Sequence, residues 1–331
     1  MNAVATAYLG NGKRALLRLL FSEYLVLYLA VLYFFALLPF TPGLASWENL
    51  GNLLSNLLPM LVVAIGQTFV LITGGIDLSV TAIIALASVV GASVMSDAQG
   101  LLAGHRGAVP LGMLAMLGVG WILGCMNGAS VTRLKMPPFM VTLTTMMFFS
   151  GFAIWLTKSQ NITGLPATFT VIGKSTGLAL GVATALGIGA HLCLSRSLLG
   201  RWLYAVGHNP KAAEISGVPV GRVILLAYLI SGTSAAVASI LYTGRLETGS
   251  PVLGQRILLD VIGATVIGGT SLYGGKGKVI WTVFGVFFIV LIDNSLNLLN
   301  LSYFSIMIVK GHVILLAALI DSLRRKISQV P

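Results

Sequence analysis

Charge is what this chain of 331 residues has least of: Asp, Glu, Lys and Arg make up 9% of it, against roughly a quarter in a typical soluble domain. Acidic residues are the scarcer sign, nine beside twenty Lys and Arg. So little charge excludes an ordinary water-exposed globule. Cysteine is nearly absent. Cys125 and Cys193 both lie within apolar runs, where they read as packing residues, neither a disulfide nor a metal pair. The four histidines are scattered, with His105 and His208 in loops, so no His-rich metal spacing exists. No Ser/His/Asp arrangement and no haem or dinucleotide fingerprint is present, so no residue is assigned a catalytic role and no metal site is expected.

Apolar residues fill the chain instead, at 56%. Stretches of about 17–25 apolar residues, the length that spans a bilayer, recur along nearly all of it. The expected fold is therefore all-α and polytopic, because a helix satisfies its own backbone inside lipid. Ten spans are predicted, near residues 23–40, 57–73, 78–95, 108–126, 138–157, 177–194, 223–243, 257–273, 279–299 and 303–320. The first reads as a retained helix, since the run after Lys13, Arg14 and Arg18 lacks a clear cleavage site.

The formal charge of +11 is a topology signal rather than a sign of nucleic acid. With the N-terminus inside, fourteen basic residues fall in cytoplasmic segments: Lys13, Arg14, Arg18, Arg133, Lys135, Arg196, Arg201, Lys211, Arg222, Lys276, Lys278, Arg324, Arg325 and Lys326. Five fall outside: Arg106, Lys158, Lys174, Arg245 and Arg256. The bias puts both termini in the cytoplasm. One transmembrane domain over 1–331 results, with short tails at 1–20 and 321–331. Trp47, Trp155, Trp202 and Trp281 fall near span ends, as interfacial aromatics do. Residues 41–56 open with turn chemistry and continue with Leu50, Leu53, Leu54, Leu57 and Leu58 at helical spacing, suited to lying on the outer surface before span 2. The polar, Gly-rich loop 158–176 suits an extracytoplasmic docking surface. Gly118, Gly120 and Gly124 in span 4, and Gly181, Gly187 and Gly189 in span 6, are read as close-packing positions.

The most informative segment runs from Arg201 to Val218. It is polar, bounded by glycine and lodged between two long apolar runs. It is too polar to cross the bilayer, yet compact enough to dock as a unit on a soluble partner. Three further motifs stand out. In Thr73-Gly74-Gly75-Ile76-Asp77-Leu78-Ser79, two glycines break a helix, and Asp77 and Ser79 can cap the next one. In Val266 to Lys278 a phosphate loop is suggested but fails. The position five before Gly275 is Thr270, and Gly277 follows Lys276 where Ser or Thr is needed. In span 9, Asn294 and Asn297 are one turn apart and share a face. Gln67, Asp77, Ser79, Asn127, Asn294 and Asn297 are the candidates for lining or gating a pathway. Lys310 and His312 must face the protein interior or snorkel, and Asp293 is a candidate partner for Lys310.

Together, the 201–218 loop, Gly-Gly-Ile-Asp-Leu-Ser (74–79), Val-Ile-Gly-Gly-Thr-Ser-Leu-Tyr-Gly-Gly (266–275) and Asn294-Ser-Leu-Asn297-Leu resemble one family in its motif order, over about residues 50–322. It is the permease subunit of bacterial ATP-binding-cassette importers of the ribose/xylose/galactose type. The resemblance implies a ten-helix, cobalamin-importer-like permease fold in the inner membrane. It implies two permease copies, identical or paralogous, two cytoplasmic ATPase subunits that hold the ATP and Mg, and a periplasmic binding protein that delivers a monosaccharide or small polyol. No cofactor is expected on this chain and no nucleic acid as partner. The cytoplasmic loop 195–222 would carry the coupling helix, with Arg201, Tyr204, Gly207, Asn209, Ala212, Ala213, Glu214 and Gly217 meeting the ATPase. The sequence departs from the family's usual pattern at Thr81, where Gly often follows Leu-Ser-Val, and over Leu259 to Ala264. The competing reading is a secondary transporter driven by an ion gradient. That would need ionisable relays inside the membrane, and Asp77, Asp260, Asp293 and Lys310 are few and mostly near span ends.

Overall fold

A computed structural model describes residues 24–328. Thirteen helices occur among the described residues: α1 (Leu25–Leu37), α2 (Trp47–Ile72), α3 (Val80–Met95), α4 (Ala108–Thr132), α5 (Pro138–Thr157), α6 (Ala167–Lys174), α7 (Thr176–Arg196), α8 (Leu198–His208), α9 (Pro210–Ile215), α10 (Val220–Leu246), α11 (Leu258–Gly268), α12 (Val279–Leu298) and α13 (Tyr303–Ser328). The β-pairing among these residues is one isolated bridge between Ile162 and Gly249. Six helices, α2, α4, α5, α7, α10 and α12, are long and apolar enough to cross a membrane; α1, α3, α11 and the apolar part of α13 are shorter. Lys13, Arg14, Arg18 and the tail expected over 1–20 lie outside the described residues, as do residues 329–331.

The core forms around α2. Every residue from Leu57 to Ile72 is buried, as expected of a helix that is apolar on all sides. It packs against α7, α10, α11 and α12. The short α3 is almost as enclosed and lies against α4, α5 and α10. Polar side chains join these apolar walls. Thr68 bonds Thr282 at 2.7 Å, linking α2 to α12. Thr243 bonds Ser88 at 2.7 Å and Ser239 donates to the Ile84 carbonyl at 2.7 Å, linking α10 to α3. In lipid such bonds and close packing substitute for a hydrophobic drive between helices.

Four expectations change. The surface segment expected over 41–56 and span 2 merge into one helix. Ser46 accepts the Asn49 N–H at 3.2 Å and starts α2 at Trp47, and Pro59 is accommodated inside it. The span expected over 257–273 ends early. Gly269 takes φ +118°, a left-handed conformation that suits glycine and stops the helix at eleven residues. The loop 158–176 is partly built into the fold. It contains α6, whose Phe169 is fully buried and which packs on α10. The tail expected over 321–331 is helical as far as Ser328.

The span-4 glycines divide by face. A methyl on Gly120 would fall on the Gly232 carbonyl, and one on Gly124 would lie 2.6 Å from the Tyr228 carbonyl. Here α4 and α10 touch backbone to backbone. Gly118, Gly181 and Gly189 face open space, and a methyl on Gly187 would make only ordinary contact with Ile65. Their expected packing role is therefore not realised within this chain. Gly120→Ala is expected to cost about 1–3 kcal/mol by overpacking and to lower the thermal unfolding midpoint in detergent. Gly181→Ala should leave the midpoint unchanged, and equal midpoints for the two variants would contradict the division.

Candidate functional site

Four of the six pathway candidates meet in one buried cluster. After α2, Gly74 and Gly75 turn the chain, and Asp77 enters the interior with no exposed surface. Its Oδ1 accepts from the Ser79 N–H at 3.0 Å and the Ser79 hydroxyl at 2.6 Å. Its Oδ2 accepts from the Ser231 hydroxyl of α10 at 2.8 Å. Gln67 of α2, with its amide turned to satisfy both groups, donates to the Asp77 carbonyl at 3.1 Å and accepts from the Asp77 N–H at 3.2 Å. Asn127 of α4 donates to the Ser79 hydroxyl oxygen at 2.8 Å and accepts from Thr145 of α5 at 2.7 Å. The network thus joins α2, α3, α4, α5 and α10. The expected capping role is replaced. Of the backbone N–H groups at the start of α3, the Asp77 carboxylate accepts from that of Ser79 alone, and Ser79 makes no side-chain cap to α3, because its hydroxyl serves Asp77 and Asn127.

The other two candidates go elsewhere. Asn294 forms a reciprocal amide pair with Asn49 of α2, at 2.8 and 2.9 Å. Asn297 turns back along its own helix to the Asp293 carbonyl at 2.6 Å. Although one turn apart, they do not act on a common partner. The expected Lys310–Asp293 contact exists at 3.0 Å, and Asp260 joins it at 2.8 Å. Lys310 therefore ties α13 to both α11 and α12.

The 201–218 segment forms two helices. Asn209 ends α8 and caps α9, accepting from Ala212 N–H at 3.1 Å, and Pro210 takes the first helical position. Arg201, Asn209, Lys211, Ala212, Glu214, Ile215 and Gly217 are exposed, so α9 presents a free surface. The remaining residues expected to meet the ATPase behave differently. Ala213 is buried. Tyr204 points inward, and its hydroxyl donates to the Gly277 carbonyl at 2.7 Å. Burial pushes its phenol pKa up, so it stays a donor. Gly207 packs on the end of α2, where a methyl would strike the Ile72 carbonyl.

Residues 49–318 match the family described as branched-chain amino acid transport system / permease component. The chain belongs to this permease family. It is 38% identical over 287 residues to the ribose import permease protein RbsC of Bacillus subtilis strain 168, covering 85% of this chain and 86% of the relative. It is 34% identical over 291 residues to the RbsC of Escherichia coli strain K12, covering 85% and 88%. It is 30% identical over 331 residues to the L-arabinose transport system permease protein AraH of the same strain, covering 98% of each. No solved structure matches. These permease relatives are transport components and not catalytic enzymes. The permease is a multi-pass protein of the inner membrane, and the relatives give the ion-gradient reading no support.

Sequence reasoning missed Thr142, Thr145, Ser231 and Asn49 in this permease, and it named Asp260 without pairing it to Lys310. The signal for the first two was spacing. Thr142 and Thr145 lie three apart on α5, and Thr142 donates to the Ile76 carbonyl at 3.1 Å beside the Asp77 cluster. For the ion triad, Lys310→Met is expected to destabilise by about 3–5 kcal/mol, because it leaves Asp260 half-buried without its cation. Adding Asp260→Asn should restore much of that loss. Thermal melts of the single and double variants check it, and strictly additive losses would contradict the pairing.

Proposed function

We propose that this chain is the membrane-spanning permease subunit of an ATP-binding-cassette importer for a monosaccharide or related small polyol. The observation that carries the reading is agreement among the relatives. Two named for ribose and one for L-arabinose match over 85% and 98% of the chain. The family's description names branched-chain amino acids, but all three of these relatives are named for neutral sugars. The assembly comprises two permease copies, two cytoplasmic ATPase subunits that hold ATP and Mg, and a periplasmic sugar-binding protein. The permease itself binds no cofactor.

The ten apolar segments are read as ten spans in the cobalamin-importer-like arrangement, with both termini cytoplasmic. Six meet the length requirement directly. The basic residues Arg196, Arg201, Lys211 and Arg222 support a cytoplasmic 195–222 loop. Within it, α9 is the coupling helix, with Lys211, Glu214 and the strongly exposed Ile215 turned toward the ATPase. Closure of the ATPase pair shifts the permease between outward and inward states through a difference in affinity for the two. The chain contributes passage and coupling. The Asp77 cluster and the Asn49–Asn294 pair are the polar contacts across helices that such a shift must carry or break.

Purification in mild detergent should retain a cassette ATPase. An ATPase-free oligomer that transports in liposomes under an ion gradient would overturn the reading. In proteoliposomes with all partners, Glu214→Arg is expected to lower sugar uptake by about tenfold or more, the scale of a charge reversed at an interface. Its melting temperature should be unchanged. Wild-type uptake in that variant would remove α9 from the coupling surface.

A further inference from the structure

We infer that a junction of three backbone segments, at Gly207, at 72–75 and at 273–277, links the coupling segment to the buried Asp77 cluster, with Gly207 and Tyr204 as positioning residues for transport. This rests on the importer reading above and adds a route to it.

The junction begins where α8 meets the end of α2. A methyl on Gly207 would fall on the Ile72 carbonyl and the Gly275 N–H, and those two groups bond each other at 2.8 Å. Gly274 sits at φ +83°. A methyl there would lie 2.8 Å from the Gly207 carbonyl and 2.9 Å from the Gly74 N–H. Tyr204 closes the other side through its bond to the Gly277 carbonyl. No side chain separates the three segments at Gly207 and Gly274. A side chain between two elements can yield by changing rotamer, whereas hydrogen-bonded backbones in direct contact yield only by moving.

Beyond the junction the path is short. Gly75 lies against the Tyr228 hydroxyl, where a methyl would approach to 2.7 Å. Two residues later the Asp77 peptide is held by Gln67 of α2, and its carboxylate by Ser231 of α10. Through Ser79 and Asn127 the same group reaches α4 and α5. A displacement of α8 is therefore delivered to a group that five helices share. On the other side, α9 follows α8 directly through Asn209, so the exposed coupling surface and the junction are two faces of one helical unit.

The test uses the full transporter with its ATPase and binding protein in proteoliposomes. Sugar imported per ATP hydrolysed is measured, with the ATPase retained on purification as the assembly control. Tyr204→Phe keeps the ring and is expected to lower import per ATP roughly fivefold, the size expected from one lost hydrogen bond. Gly207→Ala is expected to lower it by roughly tenfold or more through overpacking, with the ATPase still retained. Gly181→Ala, which meets open space, should import as wild type. If both act on one route, Tyr204→Phe combined with Ser231→Ala loses no more than the worse single variant. Wild-type import per ATP in Tyr204→Phe, or multiplying losses in the double variant, overturns the junction. If Gly207→Ala does not assemble, the Tyr204→Phe result decides. A wild-type chain that retains no ATPase sinks the importer reading itself, an outcome separate from a variant that retains the ATPase and imports normally.

Discussion

A carboxylate with no access to water is the constraint around which this protein is arranged. Desolvating a charged group costs several kcal/mol unless donors replace the lost hydration. Asp77 receives three, from the Ser79 N–H, the Ser79 hydroxyl and the Ser231 hydroxyl. The third can be supplied only by bringing α10 against the turn between α2 and α3. Ser79 is in turn held by Asn127, and Asn127 by Thr145, so α4 and α5 are drawn to the same point. The apolar walls around α2 keep water away and make each bond count for more.

Close backbone contact complements that polar centre. Gly120 and Gly124 seat α4 on α10, placing Asn127 one turn further along the same helix at the depth of Ser79. The apolar faces of α4, α5 and α7 are left largely exposed, as suits helices at a lipid-facing perimeter. The polar work is thus concentrated inside, while the exposed polar surface of α9 stands apart.

The sequence showed where the apolar segments run, because hydropathy at bilayer length is a strong and local signal. It also showed that Gln67, Asp77, Ser79 and Asn127 were unusual, since polar groups in apolar runs are conspicuous. It could not show that the four meet, because Gln67 and Asn127 are brought together by helix packing over sixty residues of chain. Asn294 and Asn297 misled for the same reason. Their spacing places them on one face, but Asn49 captures the first and Asp293 the second. Glycine spacing alone did not separate Gly120, pressed on Gly232, from Gly118, which faces open space. In the 201–218 segment the sequence located a compact polar unit between apolar runs. Which of its residues are exposed depended on how α8 is rolled, and that turned Tyr204 and Gly207 inward.

The early stop of α11 has a further consequence. Its eleven residues supply about 16 Å of apolar rod, roughly half the thickness of a bilayer's hydrocarbon slab. The segment that follows, from Gly269 to Lys278, folds back onto the ends of α2 and α8 and does not continue the rod. Beyond the rod, the loop's backbone groups are satisfied by the fold rather than by a helix ladder: the Ser271 N–H by the Lys276 carbonyl and the Gly275 N–H by the Ile72 carbonyl.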